Sequence, residues 1–399
     1  MNQEILKKSI ENYPTPYYLY DYDEAVRNVS EIKEILGEDA KLCFAMKANP
    51  FLIKVLEEEI DRIEVCSYGE FKICQHMGIA AKKLLISGVV KLPQDLQEIL
   101  KTYGGDCAYT AESMKQFKML QQWSEENQIR LKVYPRMAAK SQFGMDPEEV
   151  KEILRHKKEY LFLEIPGIHY FTGTQKRKAK LQREELEMLQ AFYQEMLEEG
   201  IELEELEYGS GSKVDYFSEE RSHMVADNMR ELKEMIKACG FSGKITLEMG
   251  RAIAASSGYY MTRVRDVKRS NGRNYCLVDG GIHQLNYDGQ LRGMYIPPMQ
   301  IFPLEEKKEA EQEENWAICG SLCTTNDVIC NQYPMTEPQA GDVFSFEFTG
   351  AYSINEGLAL LLSHELPAAV GYSKEKGFEL LRERTELWPV NTGDREKNL

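Results

Sequence analysis

The feature that most constrains this chain is an alternation. Between residues 41 and 250, short apolar runs take turns with longer amphipathic stretches. The runs are "KLCFAMK" (41–47), "IEVCS" (63–67), "LLISG" (84–88), "CAYT" (107–110), "RLKVYPRM" (130–137), "IPGIHYFTG" (165–173), "LEELEYG" (203–209) and "KITLEMG" (244–250). Each has the length and apolar content of a buried strand. Between them, stretches such as "PFLIKVLEEEI", "LQREELEMLQAFYQEMLEEG" and "MVADNMRELKEMIKACG" place apolar residues at helical spacing. Repeated strand and helix imply a parallel sheet. An open doubly wound sheet has about five or six strands. Eight strands instead predict a (β/α)8 barrel.

After residue 255 the pattern changes. "SGYYMTRVRDVKRS", "RNYCLVDGGI", "NWAICGSL" and "DVFSFEFTGAY" are β-rich, divided by turn residues and without helical period. They predict a second, mostly antiparallel domain. "TPYYLYDYD" (15–23) is also strand-like and precedes the first barrel helix. The expected division is therefore a barrel over 24–255 and a β-domain made of 1–23 with 256–399. The charged stretch "PLEEKKEAEQEENW" (303–316) reads as a solvated loop or hairpin tip, and the tail "GDREKNL" as frayed.

Charge and composition exclude several functions. A net charge of -16 disfavours nucleic acid and anionic membranes, which attract clustered Lys and Arg. No apolar run approaches bilayer length, and "MNQEILKKSIENYP" lacks a signal-peptide core. Nine cysteines without a C-x-x-C pair fit a reducing cytoplasm better than a disulfide scaffold. No histidine motif calls for a metal.

Barrel enzymes build their sites at the C-terminal ends of the strands. Lys47 ends the first run, Cys66 and Ser67 the second, and Ser87 and Gly88 the third. Arg136 ends the fifth, "FTGT" (171–174) the sixth, "GSG" (209–211) the seventh and "EMGR" (248–251) the eighth. A lysine ending a buried strand is most often a charge reaching solvent. Its company on this rim argues for a functional amine. The backbone of Gly209, Ser210 and Gly211 offers N–H groups to a phosphate, although G-x-G alone would be only a turn. Thr174 adds a hydroxyl and Arg251, beside Gly250, a fixed positive charge. A phosphate cradle across the mouth from a lysine suits a phosphate-bearing aldehyde held as an imine, namely pyridoxal 5'-phosphate. Glu248 would then hold the pyridine nitrogen, its ordinary alternative being a pair with a neighbouring arginine.

With these residues in view, the chain resembles the fold-type III pyridoxal phosphate decarboxylases, which include diaminopimelate and ornithine decarboxylases. The matching segments are "TPYYLYD", "FAMKANP", "EVCSYGE", "QFGMD", "GIHYFTGTQ", "YGSG", "EMGR", "VDGGIHQL", "GSLCTTND" and "GAYS", spread almost end to end. The resemblance implies an alanine racemase-like barrel with a β-domain, a homodimer with shared active sites, and removal of the α-carboxylate through a quinonoid. It makes Lys47 the Schiff-base lysine and Glu248 the pyridine partner. Glu64, Arg136, Thr174, Gly209, Ser210, Gly211, Gly250, Arg251 and Tyr352 become cofactor contacts. Cys323 becomes the proton donor, reaching in from the partner subunit.

Departures from the family pattern bear on the substrate. Phe171 stands where many members stack a histidine on the cofactor, and Glu64 stands where aspartate is common. His169 matches a second family histidine off the ring face and reads as structural. Thr324 replaces an acid that pairs with a distal amino group, with Asp327 nearby. Tyr287 replaces the arginine that holds a distal carboxylate in diaminopimelate decarboxylases, with Arg292 the candidate to compensate. These losses resemble the subgroup that acts on glutamate tethered to an acyl carrier protein in butirosin biosynthesis. The expected substrate therefore has no distal charge or is carrier-linked, with diaminopimelate as the alternative. A racemase of the same fold is disfavoured by Glu248 and Cys323. A non-catalytic cofactor-binding barrel is disfavoured by the β-domain.

Overall fold

All eight runs are strands in the computed structural model, which describes residues 1–139, 141–218, 224–305 and 312–393. The middle of the 303–316 stretch and residues 394–399 of the tail lie outside the described residues. The chain forms β1 (Tyr17–Asp21), then β2 (Lys41–Ala45), β3 (Arg62–Val65), β4 (Leu84–Ile86), β5 (Ala108–Ala111) and β6 (Leu131–Pro135). It continues through β7 (Leu163–Glu164), β8 (Gly167–Phe171), β9 (Glu205–Gly209) and β10 (Lys244–Met249).

Strands β2 to β10 form one parallel sheet in the order β7-β6-β5-β4-β3-β2-β10-β9-β8. A bridge between Arg136 and His169, with Met137 N–H donating to His169 O at 3.0 Å, closes the ring between β6 and β8. The sixth run, 165–173, becomes strand only after Pro166, which has no N–H for a ladder. Just before it lies a ninth short strand, β7, which pairs with the start of β6, whereas β8 pairs with β9. Side-chain alternation then turns residues 167, 169 and 171 of β8 to one face. Ion pairs from Arg62 to Glu205 and Glu207, and from Lys132 to Glu205, join side chains of different strands. The barrel interior therefore holds charge where branched apolar residues are usual. The covering helices begin with side-chain caps. Ser67 and Ser113 accept from Glu70 N–H and Gln116 N–H, and Asp146 with Glu149 forms a capping box.

The second sheet contains β1 with β11 (Gly258–Ser270), β12 (Arg273–Val278), β13 (Met299–Phe302), β14 (Glu314–Cys319), β15 (Val328–Met335), β16 (Val343–Glu347), β17 (Ala368–Ser373) and β18 (Gly377–Arg382). Its order is β15-β14-β12-β11-β1-β17-β18, with β16 paired to β11 and β13. Only β1–β17 and β12–β14 are parallel. Its core gathers Leu6, Tyr17, Leu19, Tyr259, Met261, Phe302, Val343, Ala368 and Val370. Leu6 comes from a helix the alternation did not reveal, Gln3–Asn12, capped by Asn2. By contacts the chain forms two compact units, Met1–Ala25 with Asp215–Arg221 and Ala254–Leu399, and Val26–Val214 with Ser222–Ile253. Among the described residues no helix is long and apolar enough to cross a membrane, and all nine cysteines are free.

Candidate active site

Lys47 leaves the sheet in an unexpected way. The strand stops at Ala45, and Lys47 lies in a single 3-10 turn, Met46–Ala48. A second 3-10 turn, Pro50–Leu52, precedes a helix of only four residues, Ile53–Leu56. Buried Asn49 links the turns: its backbone N–H donates to Met46 O at 3.0 Å, and its side chain accepts from Phe51 N–H at 3.0 Å. Proline at the start of the second turn costs no hydrogen bond there. This double turn holds the lysine on the rim.

The Lys47 Nζ donates to Glu64 Oε2 at 2.8 Å and lies 3.5 Å from Cys66 Sγ. Burial pulls the lysine pKa down, but Glu64, Cys66 and Glu248 outweigh it and lift the amine well above its ordinary value. Burial likewise opposes the Glu64 anion, and the Lys47 charge overcomes it, holding the carboxyl low. Glu70 fixes the neighbouring backbone, accepting from Cys66 N–H at 2.6 Å. Arg136 is buried and paired with Glu112 at 2.8 Å, and it also donates to Phe171 O at 3.2 Å. Its guanidinium carbon lies 5.8 Å from the Phe171 ring centre, and Lys47 Nζ lies 5.7 Å from the same ring. Glu112 gave no sign in sequence, because its partner is a strand away.

Glu248 is buried, and its Oε1 meets His169 Nε2 at 2.8 Å. Its Oε2 makes no hydrogen bond among the described residues. His169, read as structural, thus stands beside a predicted cofactor residue. Potential ligand atoms of Glu64, His169 and Glu248 lie within 4.8 Å of one another, as do those of Cys43, Glu207 and Glu248. Sequence spacing gave no hint of either group. The ammonium on Glu64 and the imidazole on Glu248 already serve the first of them.

The glycine cradle is shaped by contacts. A Cβ on Gly209 would lie 2.0 Å from Phe171 Cδ2 and 2.9 Å from its Cβ. Gly211 has φ +61°, and a Cβ there would meet Gly173 O at 2.4 Å. Around them Lys176 N–H donates to Gly211 O at 2.8 Å, and buried Gln182 donates to Ser210 O at 2.8 Å. Thr174 is exposed on the loop after β8. Gly250 packs against Ala48, where a Cβ would meet the alanine at 2.8 Å, and buried Arg251 opens the helix Arg251–Ala254. Lys47, Glu64, Arg136, Phe171, Thr174, 209–211, Glu248, Gly250 and Arg251 all belong to the barrel unit.

Tyr287, Cys323, Thr324 and Tyr352 belong to the other unit. Cys323 and Thr324 are exposed on the turn after β14. Asp327 braces that turn, accepting from Leu322 N–H at 2.7 Å and Ile282 N–H at 2.8 Å. Tyr287 is buried and donates to Glu347 O at 2.6 Å. Its ring meets Tyr216 at 5.3 Å and Phe217 at 5.8 Å. Tyr287, Arg292, Asn326 and Glu356 help line a cavity of about 330 Å³. Tyr352 adopts φ +68°, a conformation costly for a bulky residue and commonest at functional sites.

The barrel residues fit pyridoxal phosphate. A lysine amine reaches the rim, a buried carboxylate keeps one oxygen without a hydrogen bond among the described residues, and a backbone curve with glycine at 209 and 211 lies beside an aromatic ring. Residues 22–255 match the family described as "Pyridoxal-dependent decarboxylase, pyridoxal binding domain". The chain is 26% identical to diaminopimelate decarboxylase of Aquifex aeolicus over 401 residues, 95% of this chain and 91% of that protein. It is 24% identical over 409 residues to L-glutamyl-[BtrI acyl-carrier protein] decarboxylase of Niallia circulans, 96% of this chain and 94% of that protein. Diaminopimelate decarboxylase from Helicobacter pylori, solved with L-lysine, shares the fold with a TM-score of 0.82 at 21% identity, over 99% of this chain and all 100% of that one.

Proposed function

The chain belongs to the pyridoxal-dependent decarboxylases, and we propose that it decarboxylates an α-amino acid whose side chain carries no free distal charge, such as glutamate held as a thioester on a carrier protein. The observation carrying this reading is Tyr287. Its hydroxyl is committed to a backbone carbonyl, and its ring is packed in an aromatic cluster. Tyr287 takes the place of the arginine of diaminopimelate decarboxylases only as the family resemblance implies, and on that correspondence a neutral, fixed side chain replaces the charge. Thr324 is uncharged, and both carboxylate oxygens of Asp327 are engaged by backbone N–H groups. A site without distal charges gives up the selectivity that unpaired charges enforce.

When bound, pyridoxal phosphate supplies an electron-accepting ring for the charge left at Cα as carbon dioxide departs. The chain supplies the rest. Lys47 provides the amine, and Glu64 accepts its hydrogen bond at 2.8 Å and orients it on the rim. Glu248 offers a carboxylate oxygen to the pyridine N–H, the 209–211 backbone carries the phosphate, and Arg136 is immobilised by Glu112. We further propose a cytoplasmic homodimer in which the exposed Cys323 thiol delivers a proton to Cα in the partner's site.

The test measures carbon dioxide release from free amino acids and from glutamyl-carrier thioesters. Turnover of the thioester with little on free meso-diaminopimelate or ornithine is expected, and efficient turnover of either free acid overturns the reading. Cys323→Ala should keep cofactor while slowing product formation. Arg292 favours diaminopimelate as a second reading, because it lines the same cavity as Tyr287. On that reading Arg292→Ala raises KM for diaminopimelate.

A further inference from the structure

His169 is wholly buried on β8, with its backbone oxygen tied to Met137 N–H and its ring inside the barrel. The ring makes one side-chain hydrogen bond, Nε2 to Glu248 Oε1 at 2.8 Å. Nδ1 has no hydrogen-bond partner among the described residues. A buried ring nitrogen without a partner is unfavourable, so burial for packing alone would be better met by an apolar side chain. An ionised carboxylate only accepts, and the hydrogen between the two groups therefore belongs to the imidazole. This tautomer follows from the bond the carboxylate requires.

We propose that His169 is a positioning residue. By donating to Oε1 it fixes the orientation of Glu248, leaving Oε2 to accept from the pyridine nitrogen of the cofactor. The surroundings support the need for such a donor. Glu64 lies in the same cluster, within 4.8 Å, and Glu207 is the register partner of His169 on β9. Lys47 serves Glu64, and Arg62 serves Glu207. Arg136, bridged to His169 through the backbone, is paired with Glu112. Each of these charged neighbours thus has its own counter-ion, and the imidazole donates to Glu248.

The inference rests on Glu248 being the pyridine partner, and the experiment separates the two. Holoenzyme is loaded with pyridoxal phosphate carrying ¹⁵N in the ring, and solid-state NMR reads whether that nitrogen is protonated. Four variants are compared: Glu248→Gln, His169→Gln, His169→Asn and His169→Leu. Glutamine can place its amide where Nε2 lies, whereas asparagine reaches only toward Nδ1 and leucine donates nothing. The expected result is a protonated nitrogen in wild type and His169→Gln. Glu248→Gln, His169→Asn and His169→Leu should lose that signal, and the two His169 variants should lose roughly 10–100-fold in kcat/KM, as orienting partners do elsewhere. A signal unchanged in Glu248→Gln overturns the role of Glu248 itself. A signal lost there but unchanged in both His169→Asn and His169→Leu overturns the role of His169. If the leucine variant does not fold, equal behaviour of the glutamine and asparagine variants also overturns it.

Discussion

Removing the charge of Glu64 tests whether the rim is held together by its ion pair. At 2.8 Å, two unit charges in an effective dielectric of about 20 attract by roughly 6 kcal/mol, before the cost of taking each from water. Breaking one side of a buried pair costs about 3–5 kcal/mol, because the remaining charge loses its partner. The Lys47 side chain keeps 37% of its exposure while Glu64 keeps 4%, so solvent relieves the stranded amine and the lower end, about 3 kcal/mol, applies to Glu64→Gln. Stranding the deeper carboxylate by Lys47→Met should cost more. Urea unfolding of the apoprotein at neutral pH measures both, free of any effect through the cofactor. The double variant should lose less than the sum of the singles, by about 1–3 kcal/mol. Additive losses would mean that the two side chains stabilise the barrel independently, and the ion pair would not be what holds the rim.

Three further outcomes follow from other contacts. Gly209→Ala puts a methyl into the Phe171 ring and its Cβ, so the ring cannot escape by rotating its far end; a loss of about 1–3 kcal/mol and weaker cofactor binding are expected, and unaltered stability with unaltered binding would refute the packing. Glu205 is held down to about 2 against an ordinary 4.5, because Lys132, Tyr134 and Arg62 outweigh the burial that opposes its charge. Its folded pKa lies below the unfolded one, so its contribution is complete above pH 4.5 and is lost as pH falls toward 2; urea midpoints at stepped pH should fall less steeply for Glu205→Gln than for wild type. Cys323 is the one exposed cysteine of nine in the single chain and enters the partner's site in the proposed dimer, so iodoacetamide should label it faster in diluted, dissociated protein than in the dimer, and equal rates would contradict that placement.

The barrel was legible because its signal is periodic and local. Eight apolar runs, each bounded by its own turn and helix, report strands without reference to one another, and a mostly parallel sheet hardly allows another reading. The boundaries were less legible. "CFAMK" looks like uninterrupted strand, yet the ladder stops at Ala45, because the side chain of Asn49 and the ring of Pro50 stabilise the turns that follow. The helix Gln3–Asn12 escaped because it precedes the alternation, and its Leu6 is buried against strands hundreds of residues away. The break at Pro166 was visible as a residue but not as a consequence, since that depends on which neighbours β7 and β8 find.

Charge partners are the part that sequence conceals for a physical reason. A strand shows which of its residues share a face, but not which strand stands across the barrel. Glu112 for Arg136 and Glu64 for Lys47 meet across neighbouring strand pairs, and His169 for Glu248 across the intervening β9, so all three require the sheet to assemble before they meet. The same reason decides between residues proposed to replace a lost charge. Asp327 follows Thr324 closely and is acidic, which makes it the obvious substitute on spacing alone. Its carboxylate instead accepts backbone N–H groups from Leu322 and Ile282, and burial raises its pKa while those bonds lower it. A carboxylate so placed braces a turn; drawing it toward a substrate ammonium would leave two backbone donors unmet. Arg292 carries no such commitment from its guanidinium to the turn and borders the cavity beside Tyr287. Of the two candidates for a distal-charge partner, the arginine is therefore the one whose substitution should alter substrate choice, while Asp327→Asn should act chiefly on the stability of the turn that presents Cys323.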